Sequence, residues 1–136
     1  MSRVSALIVV RLETATGHVY FLARFAYDGG DPYVVQAEFL DGDNVLARWH
    51  FDRQMLAEGL HRPVGEGDVA FRPDKGSGRD ELRVELIGMS ADQQDNAVVL
   101  VDALALRNFL DDTYAVVAAG EEFLDLDKLL DELLAR

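Results

Sequence analysis

Apolar and polar residues alternate along most of the chain up to Val101, which is the pattern of half-buried β-strands. Asp, Gly and Pro residues separate the alternating segments and favour short turns, so the strands are expected to pair mainly as antiparallel hairpins. The segment 97–101 is apolar on both faces and is predicted as a central strand. The predicted strands cover residues 3–13, 18–28, 33–39, 45–51, 69–71, 82–86 and 97–101.

Helical spacing of apolar residues replaces this alternation at three places. Asp52 is predicted as the N-cap of a short helix that ends at Gly59, and the segment 63–67 is predicted as a loop. A longer helix is expected to begin at about Asp102 and a last one at about Asp125. The fold class is therefore α+β: about seven mainly antiparallel strands in two small sheets, with one short inserted helix and two C-terminal helices.

The chain is expected to fold as a single domain, residues 1–136, because a chain of this length buries about two-thirds of its unfolded surface. Hydrophobic residues make up 49% of it, which argues against intrinsic disorder. No internal repeat and no interdomain linker is visible in the sequence. The chain contains no cysteine, so a disulfide framework, a thiolate nucleophile and a thiolate zinc site are excluded.

The sequence predicts neither a secretory signal nor a membrane span. The apolar run 6–10 is closed by Arg11 and is too short for a signal peptide. No run approaches the ~20 apolar residues that a spanning helix requires. We therefore expect a cytoplasmic protein without direct membrane insertion, which reaches a membrane only through a partner.

The formal net charge is -12, and half of it lies in residues 111–136, which carry eight acidic and two basic residues. Binding to a nucleic-acid backbone needs cations that displace counterions, and this chain has few to spare. The charge therefore argues against nucleic acid as a partner. It favours solubility and contact with basic proteins.

None of the three histidines lies in a catalytic sequence context. His18 lies beside a turn, His50 lies on the polar face of a strand, and His61 precedes a proline in a loop. A nucleophile requires a base beside it and usually a third group that orients the base. The sequence shows no such set, so no catalytic residue and no enzymatic activity are predicted.

Two patterns resemble ligand-binding loops without completing them. Asp41 and Asp43 have the spacing that begins a calcium loop, but the further ligands and the closing glutamate do not follow. The glycine pairs at 65 and 67 and at 76 and 78 lack the strand-to-helix context that aims backbone N–H groups at a phosphate. We interpret these residues as turn formers and predict no cofactor and no metal.

A single-stranded nucleic-acid-binding module is a second hypothesis. Tyr20, Tyr27, Tyr33 and Trp49 lie on predicted strands, where aromatic rings can stack bases. Stacking of that kind also needs an electropositive groove, and the middle third of the chain is only neutral. Packing in the core is the better interpretation of Trp49.

The leucine stripe of the predicted last helix is wider than a narrow packing seam. Completion of the core and contact with a subunit or partner both remain open for this helix. If the helix contacts a partner, the expected interface residues are Asp125, Asp127, Leu129, Asp131 and Glu132.

The order and spacing of residues between Asp31 and Val69 resemble one family, the SsgA-like sporulation and cell division proteins of actinobacteria. The resemblance is collinear over nearly the whole chain, and Phe123, Leu124 and Asp125 extend it toward the end. The residues that carry it are Asp31-Pro32-Tyr33, Trp49-His50-Phe51, Arg53, Leu56, Gly59-Leu60 and the run PVGEGDV at 63–69.

The resemblance implies a Whirly-like fold of two antiparallel sheets, assembly into a homotrimer, and a function without catalysis. It implies a scaffold that marks septum sites in sporulating cells and recruits the tubulin-like division protein FtsZ, together with an SsgA-like paralogue. The alternative within the family is a paralogue that acts on septal cell-wall remodelling through other partners. The motif residues are expected to specify the fold. Backbone geometry is expected for Asp31, Pro32, Gly59, Pro63, Gly65 and Gly67, a place in the core for Trp49, Phe51 and Leu56, and a structural role for Tyr33 and Asp68.

Overall fold

The computed structural model describes residues 2–76, 78–90, 93–122 and 133–134. Within this part of the chain, eight strands and two helices follow one another. They are β1 (Arg3–Thr14), β2 (Gly17–Asp28), β3 (Val34–Asp41), β4 (Asn44–Asp52), α1 (Arg53–Gly59), β5 (Val64–Glu66), β6 (Val69–Asp74), β7 (Glu81–Ser90), β8 (Gln93–Asp102) and α2 (Ala103–Val116).

All eight strands belong to one antiparallel sheet with the order β4-β3-β2-β1-β8-β7-β6-β5. The predicted count of seven strands is wrong, because the segment predicted as a loop contains β5. This strand has three residues, too few for an alternating pattern to show. It pairs with β6 across a two-residue turn in which Gly67 has φ +62°, a conformation that favours glycine.

The prediction of two small sheets is also wrong, because β1 joins the two halves of the sheet. The first half consists of β1 to β4 and the second of β5 to β8. β1 pairs with β2 along its whole length, from Arg3↔Asp28 to Thr14↔Gly17. Its other edge pairs with β8 over three positions, Val10↔Val101 to Leu12↔Val99. The single sheet is strongly curled. The ring of Phe51 on β4 lies 5.5 Å from that of Phe71 on β6, although five strands lie between β4 and β6 in the sheet order.

The element order repeats although the sequence does not, because each half consists of four antiparallel strands followed by a helix. Asp52 and Asp102 end the fourth strand of each half and cap the next helix. Their carboxylates accept hydrogen bonds from the amides of Met55 (2.9 Å) and Ala105 (2.8 Å). The predicted N-caps of both helices are therefore confirmed.

The core lies on the inner face of the curled sheet, and both helices pack against this face. Leu56 of α1 and Leu106 of α2 are buried there, and the ring of Phe109 on α2 lies 5.9 Å from that of Phe25 on β2. The helices follow the ends of β4 and β8 and close one end of the curl, the helix end. The opposite end is formed by the β1–β2, β3–β4 and β7–β8 hairpins, and we call it the open end.

Of the predicted last helix, only Leu133 and Leu134 are described; they are helical and exposed. The predicted N-cap Asp125 and the rest of that helix lie outside the described residues. No helix in the described part of the chain has both the length and the apolar character needed to cross a membrane.

Candidate functional site

The outer face of the curled sheet carries a row of exposed apolar side chains across β1, β2 and β4. Their relative exposures are between 40% and 60%. Val9 on β1 is paired with Leu22 on β2, and Leu22 is paired with Leu40 on β3, which is paired with Val45 on β4. Paired residues point to the same face of a sheet, so these side chains are neighbours. We define the outer patch as Leu7, Val9, Tyr20, Leu22 and Val45.

Ion pairs flank the outer patch on the same face. Glu38 on β3 accepts hydrogen bonds from Arg24 on β2 (3.3 Å) and from Arg48 on β4 (2.8 Å). The hydrogen bond from Arg48 is the largest cause of the lowered pKa of Glu38. On the other side of the patch, Arg11 donates from Nε to Glu81 (3.0 Å), and this carboxylate raises the pKa of Arg11. An apolar surface with a charged border is a common form of protein interaction site.

At the helix end, Arg53 is a buried cation with only 2% of its surface exposed. Its NH1 group donates to the backbone carbonyls of Thr113 (3.1 Å) and Val117 (2.9 Å) at the end of α2. The Thr113 carbonyl also accepts a hydrogen bond from the Val117 amide (3.0 Å). Its NH2 group donates to the carboxylate of Glu122 (3.0 Å). Arg53 therefore ties the start of α1 to the end of α2 and to the segment that follows it.

Two tyrosine rings enclose the Arg53 guanidinium. Its central carbon lies 4.9 Å from the ring centroid of Tyr27 and 4.0 Å from that of Tyr114, within the range of cation–π contact. Burial raises the pKa of both phenols, although the positive charge of Arg53 acts in the opposite direction. Sequence reasoning assigned Arg53 to the family pattern but did not anticipate that it is buried. The available signal is its position three residues before Leu56, on the same side of α1.

At the open end, apolar residues from both halves of the sheet surround one cavity of about 350 Å³. The lining comes from the inner faces of β1 to β4 on one side and of β7 and β8 on the other. Among the residues whose side chains the structure describes, Asn96 is the only polar one in the lining. The apolar lining residues are Val10, Leu12, Phe21, Phe39, Leu46, Ala47, Trp49, Leu86, Ala97 and Val99.

A β-bulge in β4 shapes the mouth of this cavity. Phe39 is paired with Ala47 and Leu40 with Val45, so Leu46 is an extra residue in β4. A bulge re-aims the side chains around it. Leu46 therefore lines the cavity while remaining 53% exposed, and Val45 lies on the outer face, although strict alternation from Ala47 and Trp49 would turn it inward.

The first motif residues build the turn that leads into β3. Pro32 is fully buried, and its carbonyl accepts a hydrogen bond from the Tyr27 hydroxyl (3.0 Å). Asp31 closes a turn with its amide bonded to the Asp28 carbonyl (2.9 Å). Tyr33 is exposed and donates to the carbonyl of Glu122, so it holds the same segment as Arg53 does.

The predicted core residues of the motif do not share one environment. Phe51 and Leu56 are buried in the core. Trp49 is only half-buried, because it stacks on Phe51 with ring centroids 6.3 Å apart while its other surface lines the open-end cavity.

The motif glycines are required for two different reasons. Gly67 has a positive φ in the β5–β6 turn. Gly59 ends α1, and a Cβ atom placed on it would lie 2.5 Å from Cβ of Phe71, so it is required for close packing of helix on sheet. The remaining motif residues of this region belong to the β5–β6 hairpin or precede it: Pro63, Gly65 and Asp68.

The aromatic residues considered for base stacking do not form a platform. Tyr27 is buried against Arg53, and Trp49 faces the cavity. Tyr20 lies on the outer face and Tyr33 lies beside Glu122. The described residues also contain no group of three or more His, Asp or Glu side chains placed to hold a metal ion. The predicted interface residues Asp125, Asp127, Leu129, Asp131 and Glu132 lie outside the described residues and stay a prediction.

Comparison with known proteins identifies relatives over most of the chain. Residues 21–122 match the family model described as "Streptomyces sporulation and cell division protein, SsgA". The sporulation-specific cell division protein SsgB of Streptomyces coelicolor is 39% identical, over 83% of this chain and 81% of the relative. The protein of the same name from Kineococcus radiotolerans is 38% identical, over 95% of this chain and 76% of the relative.

Two solved structures share the fold. The SsgA-like sporulation-specific cell division protein of Thermobifida fusca superposes with a TM-score of 0.83 at 30% identity, covering 97% of this chain and 96% of that one. A structure from a study of SsgB mutations and longitudinal cell division during sporulation of Streptomyces coelicolor has a TM-score of 0.78 at 34% identity, covering 88% and 92%. The resemblance read from the motif residues is therefore confirmed.

Proposed function

The chain belongs to the SsgA family of sporulation and cell division proteins, and on that premise we propose that it is a non-enzymatic regulator of sporulation-specific cell division. It acts in the cytoplasm at division septa, where it marks septum sites and recruits FtsZ. It works as a homotrimer and together with an SsgA-like paralogue. The names of the relatives support the division role, since they refer to sporulation-specific cell division and to no catalytic activity.

The single structural observation that supports a recruiting function is the outer patch. Its five apolar side chains are 40–60% exposed on a hydrogen-bonded sheet, so a partner meets a surface that needs little ordering before it binds. Burying a large aliphatic side chain contributes roughly 1.5–3 kcal/mol. Two or three such contacts contribute roughly 3–9 kcal/mol before the cost of association is subtracted, so the patch supplies a substantial part of the affinity of a complex with a micromolar Kd, about -8 kcal/mol.

Co-sedimentation with FtsZ filaments tests the proposal. The purified protein is mixed with FtsZ in the presence and absence of GTP, and the amount in the pellet is measured as a function of concentration. We expect saturable pelleting only when GTP allows filaments to form. Absence of pelleting would refute recruitment of FtsZ and leave the action on septal cell-wall remodelling through other partners as the function.

A pair of surface variants tests the outer patch itself. The double variant Leu7→Thr, Leu22→Thr keeps residues suited to a strand and removes two apolar contacts. We expect at least about a tenfold loss of affinity for filaments. The matched control is Leu104→Gln, because Leu104 is as exposed as Leu7 but lies on α2. Equal pelleting by the double variant and the control would show that the patch is not the contact surface.

Light scattering on a sizing column tests the homotrimer. Three copies of the 15.1 kDa chain are expected in one particle. If the double variant is a monomer while the control is a trimer, the outer patch belongs to the contact between subunits and not to FtsZ.

A further inference from the structure

The geometry points to the open-end cavity as a docking site for an extended segment of a partner protein that alternates apolar and basic residues. This goes beyond the proposed function: it concerns a surface other than the outer patch, and it does not require that FtsZ be the partner. Three observations carry it: the volume and lining of the cavity, the position of β4, and the charge of the β3–β4 hairpin.

The cavity is too large and too apolar to be an ordinary packing defect. Its volume of about 350 Å³ is more than twice that of an engineered apolar cavity of about 150 Å³ that binds benzene. It is also open to solvent, because Leu46, which lines it, is 53% exposed. Water gains few hydrogen bonds there, so apolar side chains from outside are favoured over water.

The lining fits side chains better than a polar small molecule. Sites for small ligands combine apolar walls with several placed polar groups that fix the orientation of the ligand. Among the described side chains, Asn96 is the only polar one in the lining. We therefore expect groups outside the cavity, such as the backbone of a strand, to orient the occupant.

β4 provides such a backbone, because it is the last strand of the sheet on its side. An edge strand presents N–H and C=O groups with which an extended segment can pair, and alternate side chains of that segment then point to one face. Ala47 and Trp49 of β4 line the cavity, so the alternate residues of a segment paired with β4 lie at its mouth.

The charge of the hairpin favours basic residues in the part of the segment that lies beside the β3–β4 turn. Asp41 and Asp43 are exposed at the β3–β4 turn, which leads directly into the cavity-lining residues of β4. The chain as a whole carries a net charge of -12. A segment with lysine or arginine between its apolar residues is therefore attracted to this end, and an acidic one is repelled.

Trp49 makes the proposal directly measurable, since it is the only tryptophan of the chain and lines the cavity. The probe is a short acetylated and amidated peptide of alternating lysine and leucine, which has no fluorescence of its own in this range. We expect a saturable change in Trp49 emission that weakens as salt is raised. Peptides with glutamate in place of lysine, or serine in place of leucine, are expected to bind at least about tenfold more weakly.

Variants locate the binding. Ala47→Leu fills the cavity, and Leu46→Ser changes its exposed mouth with little effect on packing; both are expected to weaken peptide binding about tenfold. The double variant Asp41→Asn, Asp43→Asn is expected to reduce the salt dependence. The outer-patch variant serves as the matched control and is expected to bind normally. Circular dichroism verifies that each variant is folded.

Four results would overturn the proposal. They are the absence of a saturable change with the lysine–leucine peptide, an equal response to the glutamate peptide, unchanged binding by folded Ala47→Leu and Leu46→Ser, and self-association that Leu46→Ser abolishes. The last result would show that a second copy of the chain covers the cavity. The two tests are independent, because this one uses a peptide and not FtsZ. Failure of peptide binding would not contradict FtsZ recruitment, and failure of co-sedimentation would not contradict docking at the open-end cavity.

Discussion

Replacement of Arg53 by methionine is the most severe single change that the helix end offers. The variant keeps a long side chain but removes the hydrogen bonds to Thr113, Val117 and Glu122. The Val117 carbonyl then loses its guanidinium donor in a site where the arginine was 2% exposed. The Thr113 carbonyl keeps the hydrogen bond from the Val117 amide, and the Glu122 carboxylate keeps the one from the Gly120 amide. Loss of one partner of a buried ion pair costs about 3–5 kcal/mol, because the remaining charge stays buried.

The expected loss corresponds to a large thermal shift. For a chain of this size, 1 kcal/mol lowers Tm by roughly 3–5 °C, so Arg53→Met is expected to lower it by about 10–20 °C. Arg53→Lys retains the positive charge but loses the planar fork that reaches two carbonyls and stacks between Tyr27 and Tyr114. Its expected cost is intermediate, about 2 kcal/mol.

A double-mutant cycle with Glu122→Gln separates the ion pair from the rest of the network. The side chains of Arg53 and Glu122 are 2% and 16% exposed, so solvent screens their attraction only weakly. We expect a coupling of about 1–2 kcal/mol between the two positions. Most of the cost of Arg53→Met then comes from the carbonyls of α2 and the tyrosine rings.

Urea unfolding measures these free energies, with Trp49 fluorescence and circular dichroism as two probes of the same transition. The slope of free energy against urea must stay constant for the comparison to hold. A loss below about 1 kcal/mol for Arg53→Met at constant slope would refute the view that this arginine stabilises the helix end. A coupling of zero would show that Glu122 is held by other contacts.

Three further predictions concern single contacts and the C-terminal charge. Gly59→Ala places a methyl group against Phe71 and is expected to destabilise the fold by about 1–3 kcal/mol in urea unfolding. Because Arg48 lowers the pKa of Glu38, Glu38 stabilises the fold above its ordinary pKa of 4.5; the stability difference between the wild type and Glu38→Gln is therefore expected to shrink as pH falls below that value. Loss of partner binding with an intact fold is expected in co-sedimentation when amides replace Asp125, Asp127, Asp131 and Glu132.

Each of these has a result that contradicts it. Gly59→Ala with unchanged stability would mean that α1 shifts away from Phe71 at no cost. Gly76→Ala provides the comparison, because a Cβ atom on Gly76 would come no closer than 3.4 Å to another atom. If the stability difference between the wild type and Glu38→Gln grew toward acidic pH, the result would contradict a lowered pKa of Glu38 in the folded protein. Unchanged pelleting by the variant with four amides would exclude the C-terminal acidic residues from the interface.

The helices and most strands were predictable because local signals were strong. Asp52 and Asp102 are N-caps that precede helical spacing, and the structure begins α1 and α2 directly after them. The period-two pattern identified six of the eight strands, and the continuous apolar run 97–101 identified β8. The Asp41–Asn44 turn was predictable as well, since Gly42 adopts a positive φ of 59° between paired strand ends.

The remaining features depend on contacts between distant parts of the chain. β5 is too short for a periodic signal and exists through its pairing with β6. The bulge at Leu46 shifts the register by one residue, which is what places Val45 on the outer face. The burial of Arg53 depends on carbonyls 60 and 64 residues away, and no local pattern indicates them.

The separation of the two ends of the curled sheet has a consequence for interpreting variants. Arg53 and both helices close the helix end, and Trp49 lines the open end. Distant sites without shared partners contribute to stability almost additively. Arg53→Met is therefore expected to lower stability without changing peptide affinity in the fraction that remains folded. Leu46→Ser is expected to weaken peptide binding and to leave stability unchanged.

If Arg53→Met also weakened the response of Trp49 to the lysine–leucine peptide in folded protein, the two ends would be coupled through β4, which begins at the open end and leads directly into α1. The strand would then transmit changes at the helix end to the docking site.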